Sequence, residues 1–336
     1  MTGFKAYFIH HLKKDLRPFL CIFAAVIALT LVISLQAQPN KAYDGATDSV
    51  YVEGYNATLY LPCTILSLLA YVFPAMEFSF FKKRTHLDCA YALPVSRRAL
   101  GTAHYLAGAI GLAGAFTLSY LTTLLVMLSW GPGNFSYLPL LAHYPLSLLL
   151  GLGTYSILTF AFNQANTQGD GIWFMLLYPL AYSLTVNALV DRFSLWFIPR
   201  YAMAQNLRDA LTVYFQGLTE NKIAPFNPFV QDGFLLWLIL WIAIGLGAAA
   251  AVVFGFGKRR TEKTQELSDS PLGFPVLIPL CAASAMILAQ SAQFPVIWML
   301  IEVIALIGYT VYRRGPRYKK SDLAVLLALS LFLIRF

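Results

Sequence analysis

Charged side chains are scarce in this chain. Only 12% of its 336 residues are Asp, Glu, Lys or Arg, where a soluble domain carries roughly 25%. Positions 99–169 contain none of the four. That is too little polar surface to coat a water-soluble globule, and no soluble basic domain exists to serve nucleic acid, so no nucleic-acid partner is expected. Cysteine is sparse too. Cys21, Cys63 and Cys281 lie in apolar runs and Cys89 in a polar stretch, with no CxxC and no Cys/His spacing, which argues against a zinc site or a disulfide framework. His10-His11 has no third ligand at a suitable spacing. The catalytic signatures are missing as well. There is no GxxxxGK[ST] phosphate loop, no HExxH, no GxSxG nucleophile elbow and no pair of intramembrane carboxylates suited to general acid–base work. An enzyme is therefore disfavoured, and no catalytic residue, bound metal or resident cofactor is expected.

What is abundant is hydrocarbon. Hydrophobic residues make up 58% of the chain and its mean hydropathy is +0.64, so the lipid bilayer is the expected solvent. A spanning helix needs roughly 20 apolar residues. The expected fold class is an all-α polytopic integral membrane protein with eight spans, at about 18–36, 57–79, 104–129, 138–162, 171–190, 233–256, 272–290 and 294–312. The first apolar run is too long for a cleavable signal and lacks a small-x-small exit. With the N-terminus inside, the inner segments hold 18 Lys and Arg and the outer ones 5, a strong positive-inside bias. The net charge of +8 thus reads as an orientation device in a cell (cytoplasmic) membrane with the N-terminus in the cytoplasm. Residues 1–17 read as an amphipathic inner-surface helix leading into span one. The outer segment 37–56 reads as a solvated loop, 163–170 as a polar inner turn, and 191–232, with its aromatic and arginine residues, as short interfacial helices or an interfacial loop.

One inner segment, 81–103, concentrates charge, a helix-start signal and a proline. Thr85 followed by Asp88 has the spacing of a capping box, and Leu87, Ala90 and Tyr91 share one face of a short helix over about 86–92. Pro94 turns Leu93 away from the helical region and is placed to begin the next helix, through Val95, Ser96, Arg97 and Arg98. The reading is a helix–elbow–helix ringed by Lys82, Lys83, Arg84, Arg97 and Arg98. A solvated loop obeying the charge rule would account for the cations, but leaves the cap, the apolar face and the elbow without a reason. A rigid knob seated in a cytosolic motor accounts for all four.

Arg84-x-x-x-Asp88 followed by Leu93-Pro94-Val95-Ser96-Arg97, after a second span and before a third, resembles the permeases of the ABC-2 type. These are the membrane subunits of bacterial ATP-binding-cassette exporters. A six-span core (1–256), a long outer loop before span six and a charged linker, Lys258-Arg-Arg-Thr-Glu-Lys263, before a C-terminal pair of spans (257–336) are similar to the family's longer members. The resemblance implies an export permease that is not itself an ATPase. ATP would be bound by a separate cytosolic ATP-binding-cassette ATPase, contacted by Arg84, Thr85, Asp88, Leu93, Pro94, Val95, Ser96, Arg97 and Arg98. It also implies pairing with a second permease subunit, the same or similar.

Two further polar positions stand out. Glu302, the acidic residue well inside an apolar run, reads as a substrate or proton contact, as a Glu buried against a polar neighbour such as Gln290 or Gln293, or as one held near the outer interface. His143 reads either as a pathway-lining group or as an interfacial histidine. The glycines at 108, 111, 114, 245 and 247 permit close approach of helices within the chain. The apolar 14 residues 323–336 are too short to cross unaided and read as a surface-bound tail or the start of a ninth span. Two rival functions remain. A secondary transporter would carry inverted repeats and broken helices with polar midplane groups, and no convincing repeat is present. A membrane scaffold or immunity protein would bind a ligand without moving it.

Overall fold

The computed structural model describes residues 2–36, 40–44, 49–53, 55–86, 92–129, 137–193, 234–257 and, with short gaps, 265–327, with side chains described over 3–36, 61–86, 92–129, 144–182, 239–257 and parts of 265–286 and 299–327. The frame is helical, as hydrocarbon demands: without water to bond exposed amides, each spanning segment must satisfy its own backbone. Eight long helices are present among the described residues: α1 (Thr2–Gln36), α2 (Tyr55–Phe78), α3 (Arg97–Ser129), α4 (Tyr137–Asn163), α5 (Gln168–Phe193), α6 (Phe234–Phe256), α7 (Phe274–Gln290) and α8 (Pro295–Tyr312). Their positions agree with the expected runs to within a few residues, except at the starts of α1 and α3. Both begin earlier and are longer. At 35 and 33 residues they measure about 50 Å, against roughly 30 Å of hydrocarbon, so part of each overhangs. Among the described residues, five helices are long and apolar enough to cross a membrane: Gly3–Gln36, Leu61–Lys82, Arg97–Ser129, Tyr144–Asn163 and Ile239–Phe256.

The segment expected as a solvated outer loop carries a small antiparallel ribbon, β1 (Asn40–Asp44) and β2 (Ser49–Glu53), in the register Asn40↔Glu53 to Asp44↔Ser49. Its residues Tyr43, Val50, Tyr51 and Val52 favour extended backbone. The interfacial stretch expected at 191–232 lies outside the described residues beyond Phe193, as does the basic linker 258–263.

The chain divides into two compact units. The first comprises 1–77, 91–159 and 203–259. Here α1 packs along α3, and α3 against α6. Phe19, Leu66, Phe73, Leu112, Phe116 and Tyr155 fill its interior. Polar side chains are paired across helices: Thr30 with Ser119 at 2.9 Å, Thr117 with Tyr144 at 2.7 Å, and Tyr105 with Ser156 at 2.6 Å. Helices α4 and α6 approach backbone to backbone, since a Cβ on Gly245 would stand 2.7 Å from the Gly153 Cα. Small residues at such a crossing replace the hydrophobic force that lipid removes. On the outside, Leu20, Leu29, Val32 and Leu35 of α1 and Leu121, Leu125 and Leu128 of α3 are exposed, as suits a hydrocarbon solvent.

The second unit comprises 78–90, 160–202 and 260–336. In it α5 packs against α7, and α7 against α8. Phe174 and Phe274 meet edge to face at 5.0 Å, Ser284 donates to the Ala181 carbonyl at 2.9 Å, and Tyr178 donates to the Leu272 carbonyl. Helix α5 starts on a cap: Thr167 Oγ1 accepts from the amide of Asp170 at 3.1 Å. Arg313 and Asp322 form a forked ion pair with contacts of 2.8–3.2 Å.

Candidate functional site

The elbow is built from local chemistry. Pro94 cannot donate a backbone hydrogen bond and fixes its own φ. Around it the Val95 amide donates to the Leu93 carbonyl at 2.7 Å, a three-residue turn. The next helix does not start at Pro94, as expected, but three residues later at Arg97. Ser96 is its N-cap: its Oγ accepts from the Ala99 amide at 3.3 Å and its carbonyl from the Leu100 amide at 3.0 Å. A serine hydroxyl satisfies an orphan amide that proline leaves untouched, which moves the start. Leu93, Pro94, Ser96, Arg97 and Arg98 are exposed and Val95 is half-buried. Gly3, at the beginning of α1, stands against Pro94, where a Cβ would meet the Pro94 carbonyl oxygen at 3.6 Å. The N-terminal basic flank and the elbow therefore form adjoining surface.

Upstream, the backbone at Arg84, Thr85 and His86 is already helical and exposed. Thr85 is thus inside the turn rather than at the cap that its spacing to Asp88 indicated. Asp88 and the apolar face at 87, 90 and 91 lie outside the described residues. Lys82 leaves the expected cationic ring altogether. It is 2% exposed, donates to the carbonyl of Phe162 at 2.9 Å and to that of Ala165, and lies 4.8 Å over the Phe162 ring. A cation on the last carbonyls of α4 satisfies acceptors that the helix end leaves open and opposes its dipole.

The second feature is a buried polar cluster that joins three helices. Glu77, near the end of α2, is 3% exposed, His104 in the third turn of α3 is 4% exposed, and His11 in α1 is 8% exposed. Glu77 Oε2 lies 3.0 Å from His11 Nε2 and 3.2 Å from His104 Nδ1. The two imidazole rings are 3.8 Å apart. The Tyr7 hydroxyl stands 3.0 Å from His104 Nε2, so a Tyr7 O–H donating there leaves the His104 Nδ1–H to donate to Glu77. Asp15, one turn after His11, holds Oδ2 at 3.0 Å from the same Nε2. Glu77 Oε1 is buried without a hydrogen-bond partner among the described residues. Gly108 makes room for the cluster: a Cβ there would run into the Tyr155 hydroxyl and reach 3.1 Å from Glu77 Cγ.

Of this cluster the sequence signalled only fragments. Glu77 is the one charged residue in α2, and His11 and Asp15 have the i, i+4 spacing of a helical pair. Nothing local ties them to His104. Glu302 is half-buried on α8 in the other unit. His143 falls in α4, where side chains begin to be described only at Tyr144.

Fold and composition define a helical protein with several helices able to cross a membrane, in keeping with a multi-pass membrane protein. No family model, no curated protein and no solved structure matches the chain.

Proposed function

We propose that this chain is the membrane-spanning permease subunit of an ATP-driven exporter of the ABC-2 type, seated in the cell membrane with its N-terminus in the cytoplasm. The observation that carries the reading is the exposed elbow at 93–98, set by the Pro94 turn and the Ser96 cap between two long apolar helices, with the motif Leu93-Pro94-Val95-Ser96-Arg97 on its surface. The start of α1 beside Pro94 adds the cations of 1–17 to the same face. A cytosolic ATPase docks there through Arg97 and Arg98, and the permease pairs with a second such subunit around the route. The stiff entry into α3 carries a displacement of the elbow into a helix of 33 residues. ATP binding on the motor shifts the permease between two access states only by as much as the motor binds them differently. The substrate follows from none of these features.

The decisive experiment is affinity isolation from membranes in mild detergent. A P-loop ATPase is expected to co-purify with the chain, and Pro94→Ala combined with Arg97→Glu to insert normally but to lose the ATPase and ATP-dependent export. Co-purification at unaltered yield, with unaltered transport, overturns the coupling role. Proton- or sodium-driven flux without any ATPase replaces it with a secondary transporter.

A further inference from the structure

We propose that His11, Glu77 and His104 form a binding site for a divalent transition-metal ion of the zinc class. The inference is independent of any ATPase partner and rests on the cluster alone.

Geometry is the first support. The ligand atoms of His11, Glu77 and His104 all lie within 4.8 Å of one another. Zinc bonds of about 2.0–2.1 Å in tetrahedral array place neighbouring ligand atoms roughly 3.3 Å apart. The His11 Nε2 and His104 Nδ1 separations from Glu77 Oε2 are 3.0 and 3.2 Å. The three ligand atoms thus fit three corners of a tetrahedral shell, with the fourth corner open to water.

Charge is the second. The Glu77 carboxylate is buried between the two imidazoles, where a charge without a partner is costly. Glu77 also keeps Oε1 buried and without a hydrogen-bond partner among the described residues, an acceptor suited to a cation. The third support is the group behind the ligand. The Tyr7 hydroxyl faces the far nitrogen of His104 at 3.0 Å. With metal on Nδ1, the imidazole proton sits on Nε2 and donates to the Tyr7 oxygen, the outer hydrogen bond that metal-binding histidines commonly make. Two nitrogens with a carboxylate oxygen suit Zn²⁺ or Co²⁺ better than Mg²⁺ or Ca²⁺, which prefer oxygen alone. The ion would pin α1, α2 and α3 together at the two stems, 77 and 104, from which the elbow segment departs in the chain.

The test uses the full chain in detergent micelles, stripped with a chelator and titrated with Zn²⁺ or Co²⁺. One Zn²⁺ per chain is expected to survive gel filtration, and the Co²⁺ form to show the intense visible bands of four-coordinate cobalt, abolished by Zn²⁺. Glu77→Gln and His104→Ala should each weaken Zn²⁺ binding by at least 10–100-fold, the range already seen for outer-shell losses. Tyr7→Phe should weaken it about 10-fold, and His10→Ala, at the exposed neighbouring histidine, should leave it unchanged. If a ligand variant fails to fold, the cobalt spectrum of the unaltered chain and the Tyr7→Phe titration decide the matter. Absence of retained zinc and of a four-coordinate cobalt spectrum overturns the site. So does zinc that Glu77→Gln retains and His10→Ala loses.

Discussion

At the scale of single residues, the sharpest contrast is between adjacent lysines. Lys82 and Lys83 look alike in the sequence, yet one is buried on helix-end carbonyls and the other exposed. Lys82→Met should remove the charged donor from the Phe162 and Ala165 oxygens, the former keeping the Ala165 amide at 3.3 Å, and cost about 1–3 kcal/mol, the worth of hydrogen bonds to a charged group. Lys83→Met should stay within about 0.5 kcal/mol. Thermal unfolding in detergent reads the difference, and equal losses from the two would show that the Lys82 contacts contribute nothing. A smaller loss, about 1 kcal/mol, is expected for Ser96→Ala through the lost cap. It should be accompanied by faster amide exchange over the first turn of α3.

At the scale of elements, the crossing of α4 and α6 is set by two glycines. Because the nearest atom to a new Cβ on Gly245 is the Gly153 backbone, the neighbour cannot rotate away. Gly245→Val should therefore cost about 1–3 kcal/mol as an overpacked contact. Gly247→Ala, which meets nothing within 4 Å, should leave the melting temperature nearly unchanged. Should the two variants melt alike, the close approach is not a stabilising contact. Element starts show why spacing alone misleads. Thr85/Asp88 and Thr167/Asp170 carry the same capping spacing. The second is a cap in the structure, with Thr167 Oγ1 accepting from the Asp170 amide; Asp88 of the first lies outside the described residues. The backbone around Thr85 has already become helical. The elbow behaved similarly: Pro94 marked a boundary correctly, but the hydroxyl three positions before Ala99 decided where α3 begins.

For the whole molecule, the expectation that matters is sidedness. Under the proposed orientation, the excess of Lys and Arg at one set of segments would put the N-terminus and the elbow at 93–98 on the cytosolic face and the segment 37–56 opposite. In a chain freed of native cysteines, Thr47→Cys should react with a membrane-impermeant thiol reagent in intact cells. Lys83→Cys should react only after permeabilisation. The reverse pattern would remove the elbow from any cytosolic motor. The overhang of α1 and α3 has a bearing here too. Both exceed the hydrocarbon thickness, and His11 and His104 sit near the starts of their helices.

What the sequence determined by itself was everything that hydrocarbon enforces locally: the helical class, the positions of the long apolar helices and the punctuation between them. A segment without water must bond its own backbone, and that requirement is met residue by residue along the chain. Tertiary structure alone decided which side chains meet. Tyr7 and His104 are 97 positions apart, His11 and Glu77 66, and Lys82 and Phe162 80. Their meeting depends on how each helix is rotated and where it crosses its neighbours. Those angles are set by packing across the bundle, through such contacts as Gly153 on Gly245, and no local spacing rule encodes them.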